Sequence, residues 1–224
     1  METLLLRTKL NVPPPRLDLV ERPRLLARLD EGLRRGRKLT LVSAPAGFGK
    51  TTLLSEWVAG LDRPVAWVSL DEEDNDPTRF LRYLGAALTQ AAPDLAGPPA
   101  VGPSTSFESI LVPLINQLAD RTTSLVLVLD DYHLITNAAI DEAIVFLVDN
   151  APPALHVVIA TRADPSFPLP RWRARRQLLE IRADDLRFTP EETAAFLQAT
   201  LDLDLDNRDL DALDDRAEGW IAAL

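Results

Sequence analysis

The chain contains no cysteine and only two histidines. That removes disulfides, thiolate zinc sites and cysteine nucleophiles, and it leaves too few imidazoles for most histidine-based metal centres. Positive charge is in deficit: 24 lysines and arginines stand against 34 aspartates and glutamates, a net charge of −10. Nucleic-acid affinity comes largely from cations neutralising phosphates, so backbone binding by the segment as a whole is disfavoured, with local basic patches left open. No apolar run approaches the roughly 18 residues of a membrane-spanning helix, and the opening "METLLLRTKL" has too short an apolar core for a secretory signal. No membrane partner is expected, and a cytoplasmic location is the default. Glycine is scarce too, at nine of 224 residues. What is abundant is apolar side chain, 46% of the total, enough to bury a core in one large domain or one domain with a small appendage.

Short apolar runs alternate with longer helix-period segments. Residues 39–43, 65–70, 125–129 and 157–161 are rich in Val and Leu without polar alternation, as central strands covered on both faces are. Between them, 50–59, 77–91, 107–119 and 137–150 have helical spacing, and Asp76 followed by Pro77 suits an N-cap with proline at the first helical position. The resulting order, β-α-β-α-α-β-α-β, predicts an α/β layer fold with parallel strands. The Pro- and Gly-rich stretch 93–103 reads as a loop. Beyond residue 161 the Pro- and Arg-rich "RADPSFPLPRWRARRQ" precedes a last strand near 177–181. In "TPEETAAFLQATL", Thr189, Pro190 and Glu192 form a capping box that starts a helix. A boundary is placed there, giving a nucleotide-binding domain at 1–187 and the start of a helical subdomain at 188–224. Residues 201–215 hold seven aspartates and read as a loop running into another helix.

Two of the nine glycines fall in "LTLVSAPAGFGKTTLLSEW". The pattern G-x-x-x-x-G-K-[ST] is met by "APAGFGKT" except that Ala44 holds the first position, where it is expected to weaken the motif slightly by forbidding some backbone angles. A buried-type strand leads in and a helix leads out, the context a phosphate-binding loop requires. In such a loop the backbone amides of Ala46, Gly47, Phe48, Gly49, Lys50, Thr51 and Thr52 turn towards phosphate, aided by the positive end of the helix. Gly47 and Gly49 then mark close passage or positive φ. Lys50 would reach the β- and γ-phosphates, and the Thr51 hydroxyl would hold Mg²⁺. A dinucleotide fingerprint fits less well, because Thr52 stands where its third glycine or alanine belongs.

A phosphate loop calls for an acidic partner at the end of another central strand, and "SLVLVLDDYHLI" supplies one. Asp130 can bind Mg²⁺ through a water, while Asp131 can orient an attacking water, its short side chain arguing for slow hydrolysis, against the plainer reading of two solvated loop aspartates. His133 reads as a packed or hydrogen-bonded histidine. "VVIATRADP" puts Arg162 at the sheet edge where ligands bind, suited to sensing a γ-phosphate, against the plainer reading of a surface arginine. Arg171, Arg173, Arg175 and Arg176 form a run that fits a solvated face or a partner for acidic segments such as 201–215 better than a nucleic-acid patch.

Taken together, "KLNVPPPRLDLVERPRLLARL", "LVSAPAGFGKTTLLSEW", "VAWVSLDEEDNDPTRFLRYL", "LVLVLDDYHLI", "IATRADPSFPLPRWRARRQLLEIRADDLRFT" and "AEGWIAAL" resemble, in order, the nucleotide-binding module of the MalT-like ATP-dependent transcriptional activators, LuxR-type regulators of the STAND class of signalling NTPases. The resemblance covers nearly the whole chain. It implies a P-loop NTPase three-layer sandwich with a central, mostly parallel sheet, followed by a small helical subdomain. It implies ATP/ADP and Mg²⁺ as cofactors, with Lys50 and Thr51 on phosphate and metal, Asp130 in the Walker B role, Arg162 as sensor, and Val20, Glu21 and Arg22 as a wall for the base. It also puts Asp71, in "WVSLD", in a motif near the site, against the plainer reading of a capping aspartate. An ADP-bound inactive state and an ATP-bound, self-associating active state are implied, with DNA and RNA polymerase engaged through later segments that this chain lacks. "GWIAAL" reads as a helix cut midway, so a fragment or truncated product is expected. Two alternatives stay open: an autonomous P-loop ATPase of AAA+ kind, and a degenerate scaffold that binds no nucleotide.

Overall fold

The protein is seen in a computed structural model that describes residues 5–14, 20–95 and 106–201. Five strands form one sheet: β1 (Leu39–Ser43), β2 (Val65–Ser69), β3 (Leu125–Asp130), β4 (Leu155–Thr161) and β5 (Leu178–Arg182). All four pairings are parallel, in the order β2-β3-β4-β1-β5. The three inner strands are buried at every residue, whereas edge strands β2 and β5 are only partly so. That is why β1, β3 and β4 read as largely apolar runs without regular polar alternation.

Within those runs the side chains still alternate, and the two sets feed two cores. Leu39, Leu41, Leu125, Leu127, Leu129, Val157 and Ile159 belong to one. Val42, Val126, Val128, Val158 and Ala160 belong to the other. The first face is covered by α3 (Pro77–Ala91), α4 (Phe107–Ala119), α5 (Ala138–Asn150) and α6 (Leu169–Ala174), the second by α1 (Pro23–Arg34) and α2 (Lys50–Ala59). Two helices follow β5, the single-turn α7 (Ala183–Leu186) and α8 (Pro190–Leu201).

The expected helices at 50–59, 77–91 and 107–119 coincide with α2, α3 and α4. Asp76 caps α3 by accepting from the Arg79 amide at 2.7 Å, with Pro77 first in the helix. Asn137 proves to be the cap of α5 rather than its first residue, accepting from the Ala139 amide at 3.0 Å. The Thr189 capping box is formed: the Glu192 amide donates to Thr189 Oγ1 at 3.2 Å and the Thr189 amide to Glu192 Oε2 at 3.1 Å.

Helices α1, α6 and α7 go beyond the elements expected from sequence. Helix α1 opens at Pro23 after Arg22, which provides no side-chain cap. Helix α6 forms inside the Pro-rich stretch because prolines are tolerated in a first turn, whose N–H groups lack intrahelical acceptors anyway. It is fixed by fully buried Trp172, whose Nε1 donates to Asp149 Oδ1 at 2.7 Å. The expected loop at 93–103 lies outside the described residues beyond Leu95, as do 202–215 and "GWIAAL".

Candidate functional site

The carboxyl ends of β1, β3 and β4 meet at one edge of the sheet, the edge at which doubly wound sheets bind ligands. Strand β1 runs into a loop whose glycines take the left-handed conformation, with φ of 81° at Gly47 and 72° at Gly49. A Cβ on Gly49 would meet nothing within 4 Å, so backbone angle rather than crowding requires glycine there. Ala44 is absent from the described non-glycine residues with positive φ, which are Asp131 and Arg176. The expected weakening by Ala44 therefore lacks its physical cause: alanine suits the conformation this position adopts.

Lys50 opens α2 and is 8% exposed. Its ammonium donates to the carbonyl oxygens of Ala44 and Pro45, both at 2.8 Å, and so bridges back over the loop that precedes it. Burial lowers its pKa, Asp131 and Asp130 oppose the shift, and Arg162 adds to it. Next in sequence, Thr51 Oγ1 donates to Asp130 Oδ2 at 2.8 Å across 79 positions of chain. Asp130 is the buried last residue of β3, and its other oxygen accepts from the Asp131 amide at 3.0 Å. Burial raises the Asp130 pKa to about 6, with the Asp131 charge adding and the Thr51 hydrogen bond opposing.

Asp131 adopts φ 56°, an unusual choice for a non-glycine residue that ends β3 sharply and leads into a 3₁₀ turn at Tyr132–Leu134. His133 Nδ1 lies 3.7 Å from Asp131 Oδ1, and burial lowers its pKa, which keeps the ring neutral near pH 7. Arg162 follows the end of β4, is exposed, and makes no side-chain hydrogen bond or ion pair with any described residue; its charge acts on both Lys50 and His133. The structure thus brings Lys50, Thr51, Asp130, Asp131 and Arg162 to one edge.

Val20, Glu21 and Arg22 lead into α1 and run beside α2, where Glu56 experiences the charges of Glu21 and Arg22. Arg22 is 5% exposed. Its guanidinium donates to the carbonyls of Leu186 at 2.5 Å and Arg187 at 3.2 Å, stacks over Phe188 and lies 3.5 Å from Glu192. Desolvation lowers its pKa to about 10. Asp71 takes the plainer of its two readings: it caps a 3₁₀ turn at Glu72–Asn75 and accepts from Lys9 Nζ at 2.9 Å. The arginine run also pairs within the chain, Arg171 with Asp149 and Arg173 with Glu180. Neither partner belongs to 201–215, the segment suggested from sequence.

The sequence reading missed Ser43, Asp164 and Arg182, which are joined beside the phosphate loop. The only signal lay in register: parallel pairing sets Ser43 opposite both Thr161 and Arg182.

Thr51 and Asp130 supply hard oxygen donors, which suit Mg²⁺, and among the described residues no group of three or more His, Asp or Glu side chains could hold a metal alone. One or two protein oxygens completed by phosphate and water is the usual manner of Mg²⁺ binding, so the donor set fits.

The family model described as AAA ATPase domain matches residues 19–160. The chain is 38% identical over 229 residues to the HTH-type transcriptional regulator MalT of Serratia proteamaculans, and 38% identical over 225 residues to that of Cronobacter sakazakii, covering 99% of this chain in each case. It spans about a quarter of the length of these relatives. Among solved structures it is similar to a Signal Transduction ATPase with Numerous Domains (STAND) protein with a tetratricopeptide repeat sensor from Pyrococcus horikoshii. That match has a TM-score of 0.63 and 18% identity, and covers 94% of this chain and 30% of the other.

Proposed function

Because the chain belongs to the AAA ATPase domain family, and is a nucleotide-binding regulatory module by its likeness to the MalT regulators, we propose that it is an ATP-dependent switch: inactive with ADP, active with ATP. The observation that carries this reading is the 2.8 Å contact between Thr51 and Asp130, which joins the phosphate loop to the tip of β3. In the proposed complex the amides of residues 46–52 surround the phosphates, and Lys50 exchanges loop carbonyls for phosphate oxygens. Thr51 and Asp130 hold Mg²⁺, which when bound neutralises phosphate charge. Asp131 orients water, Arg162 meets the terminal phosphate, and residues 20–22 border the base. Arg22 would serve there through its backbone or the edge of its side chain, since its guanidinium is engaged by residues 186–192.

A nucleotide shifts a conformational equilibrium only by its different affinity for the two arrangements. We assign the moving part to the helical subdomain, dividing the chain at 187/188, with hydrolysis resetting the switch. Self-association with ATP, and DNA and polymerase contacts through segments beyond this chain, complete the reading, as does a cytoplasmic setting; no helix among the described residues is long and apolar enough to cross a membrane. Calorimetry with Mg·ATP and Mg·ADP, together with a turnover assay, tests it. Binding of both nucleotides with turnover well below about 10 s⁻¹ is expected. Fast multiple turnover would instead make the chain an autonomous ATPase, and absence of binding would make it a scaffold.

A further inference from the structure

The chain following β4 is fastened on both sides of Arg162 while that side chain stays exposed. Thr161 is buried, and its hydroxyl donates to the Ala163 carbonyl at 2.6 Å. Two residues after Arg162, Asp164 Oδ1 accepts from Ser43 Oγ at 2.9 Å and from the Arg182 guanidinium. Ser43 ends β1 in register with Thr161 on one side and Arg182 on the other, so Asp164 pins its loop across three adjacent strands. The rung lies immediately before Ala44, where the phosphate loop starts, and the Ala44 amide donates to the Thr161 carbonyl at 3.2 Å. Behind it the ion pairs continue from Arg182 to Glu180 and from Glu180 to Arg173 on α6.

We propose that Asp164 is a positioning residue, which aims Arg162 at the terminal phosphate of a bound nucleoside triphosphate by clamping the intervening backbone to Ser43 and Arg182. The proposal rests on the reading of Arg162 given above. An arginine side chain has many rotamers to lose on forming an ion pair, and an anchored backbone reduces what must be ordered at binding. The benefit falls on the third phosphate, because the loop amides hold the first two without Arg162 and Lys50 reaches the second in either nucleotide. Asp164 thus sets the preference for triphosphate over diphosphate without touching either. The same rung links that preference to β5, and so to the chain leading into α7 and α8.

The test is a calorimetric titration of the full chain with Mg²⁺ and either a nonhydrolysable ATP analogue or ADP, on Arg162→Ala, Asp164→Ala, Asp164→Asn and the Arg162→Ala/Asp164→Ala double variant. Asp164→Ala should weaken the triphosphate about tenfold and ADP less than about twofold, and the double variant should be no weaker than Arg162→Ala, because a lost aim means nothing once the arginine is gone. Asp164→Asn keeps an acceptor for Ser43 and loses the charge facing Arg182, so its loss should be intermediate; it decides the matter if the alanine variant does not fold. Equal losses for both nucleotides, or additive losses in the double variant, would overturn the positioning role. If Arg162→Ala itself leaves the triphosphate preference intact, the assignment of Arg162 fails first, and the positioning role with it.

Discussion

Thr51 and Asp130 satisfy each other in a hydrogen bond that a bound divalent cation would replace. Thr51→Ala should therefore weaken Mg·ADP by about tenfold, the scale of losing one bond to a charged group, while ADP in EDTA changes little and Thr51→Ser restores the wild-type value. Paired titrations with and without Mg²⁺ check this; equal losses under both conditions would move the effect from metal to fold. His156 poses a different residue-scale question. It is 3% exposed within β4, its Nε2 is 2.9 Å from Thr40 Oγ1 and its Nδ1 2.6 Å from the Arg37 carbonyl. Burial lowers its pKa from 6.5 to about 4, so the unfolded chain takes up a proton before the folded one does. Its contribution is whole above pH 6.5 and is lost as pH falls towards 4, up to about 3 kcal/mol. Urea midpoints from pH 7 to 4.5 should fall less steeply for His156→Gln than for wild type. Identical slopes would show that the ring does not resist protonation in the fold.

Among elements, a set of charged contacts joins the start of α1 to the start of α8. Arg24 makes two 3.0 Å bonds to Glu192, and Arg22 adds its ion pair and two carbonyl contacts. Thr189→Ala removes only a cap, at a cost of about 1 kcal/mol. Glu192→Ala also strips the carboxylate from buried Arg22, and should cost on the order of 2–4 kcal/mol. Chemical denaturation of the two variants tests the ranking; if they lose the same amount, the clasp contributes nothing beyond the cap. This joint also shows what was legible in the sequence. The capping box is local, three residues apart, and could be read directly. So could Asp76, Gly47, Gly49 and the buried strands, each set by short-range backbone or solvation physics. Arg22 could not be read, since its partners lie more than 160 positions away, and neither could Asp164, whose role depends on which strands become neighbours. Helix α1 was missed because its start has no side-chain cap to announce it.

For the whole molecule, the candidate site draws on the ends of β1, β3 and β4, three of the sheet's five strands, so one phosphate chain would tie together segments brought close only by folding. A ligand of this kind binds the native state and has no counterpart site in the unfolded chain, so it stabilises by mass action. At a hundredfold excess over the dissociation constant that amounts to about 2.7 kcal/mol, and for a chain of this length to a melting-temperature rise of about 5–10 °C. Lys50→Ala should melt as a folded protein and lose most of the rise. The ammonium serves the loop carbonyls of Ala44 and Pro45 without nucleotide, so its removal should shift the baseline slightly while weakening the dependence on ligand much more. Thermal unfolding followed by circular dichroism, with millimolar Mg·ADP or none, separates the two effects. A wild-type transition that stays put as nucleotide is added, with helix and sheet signal intact, would mean that phosphate has no preference for the native sheet edge. The likeness to the AAA ATPase domain family would then extend to architecture alone.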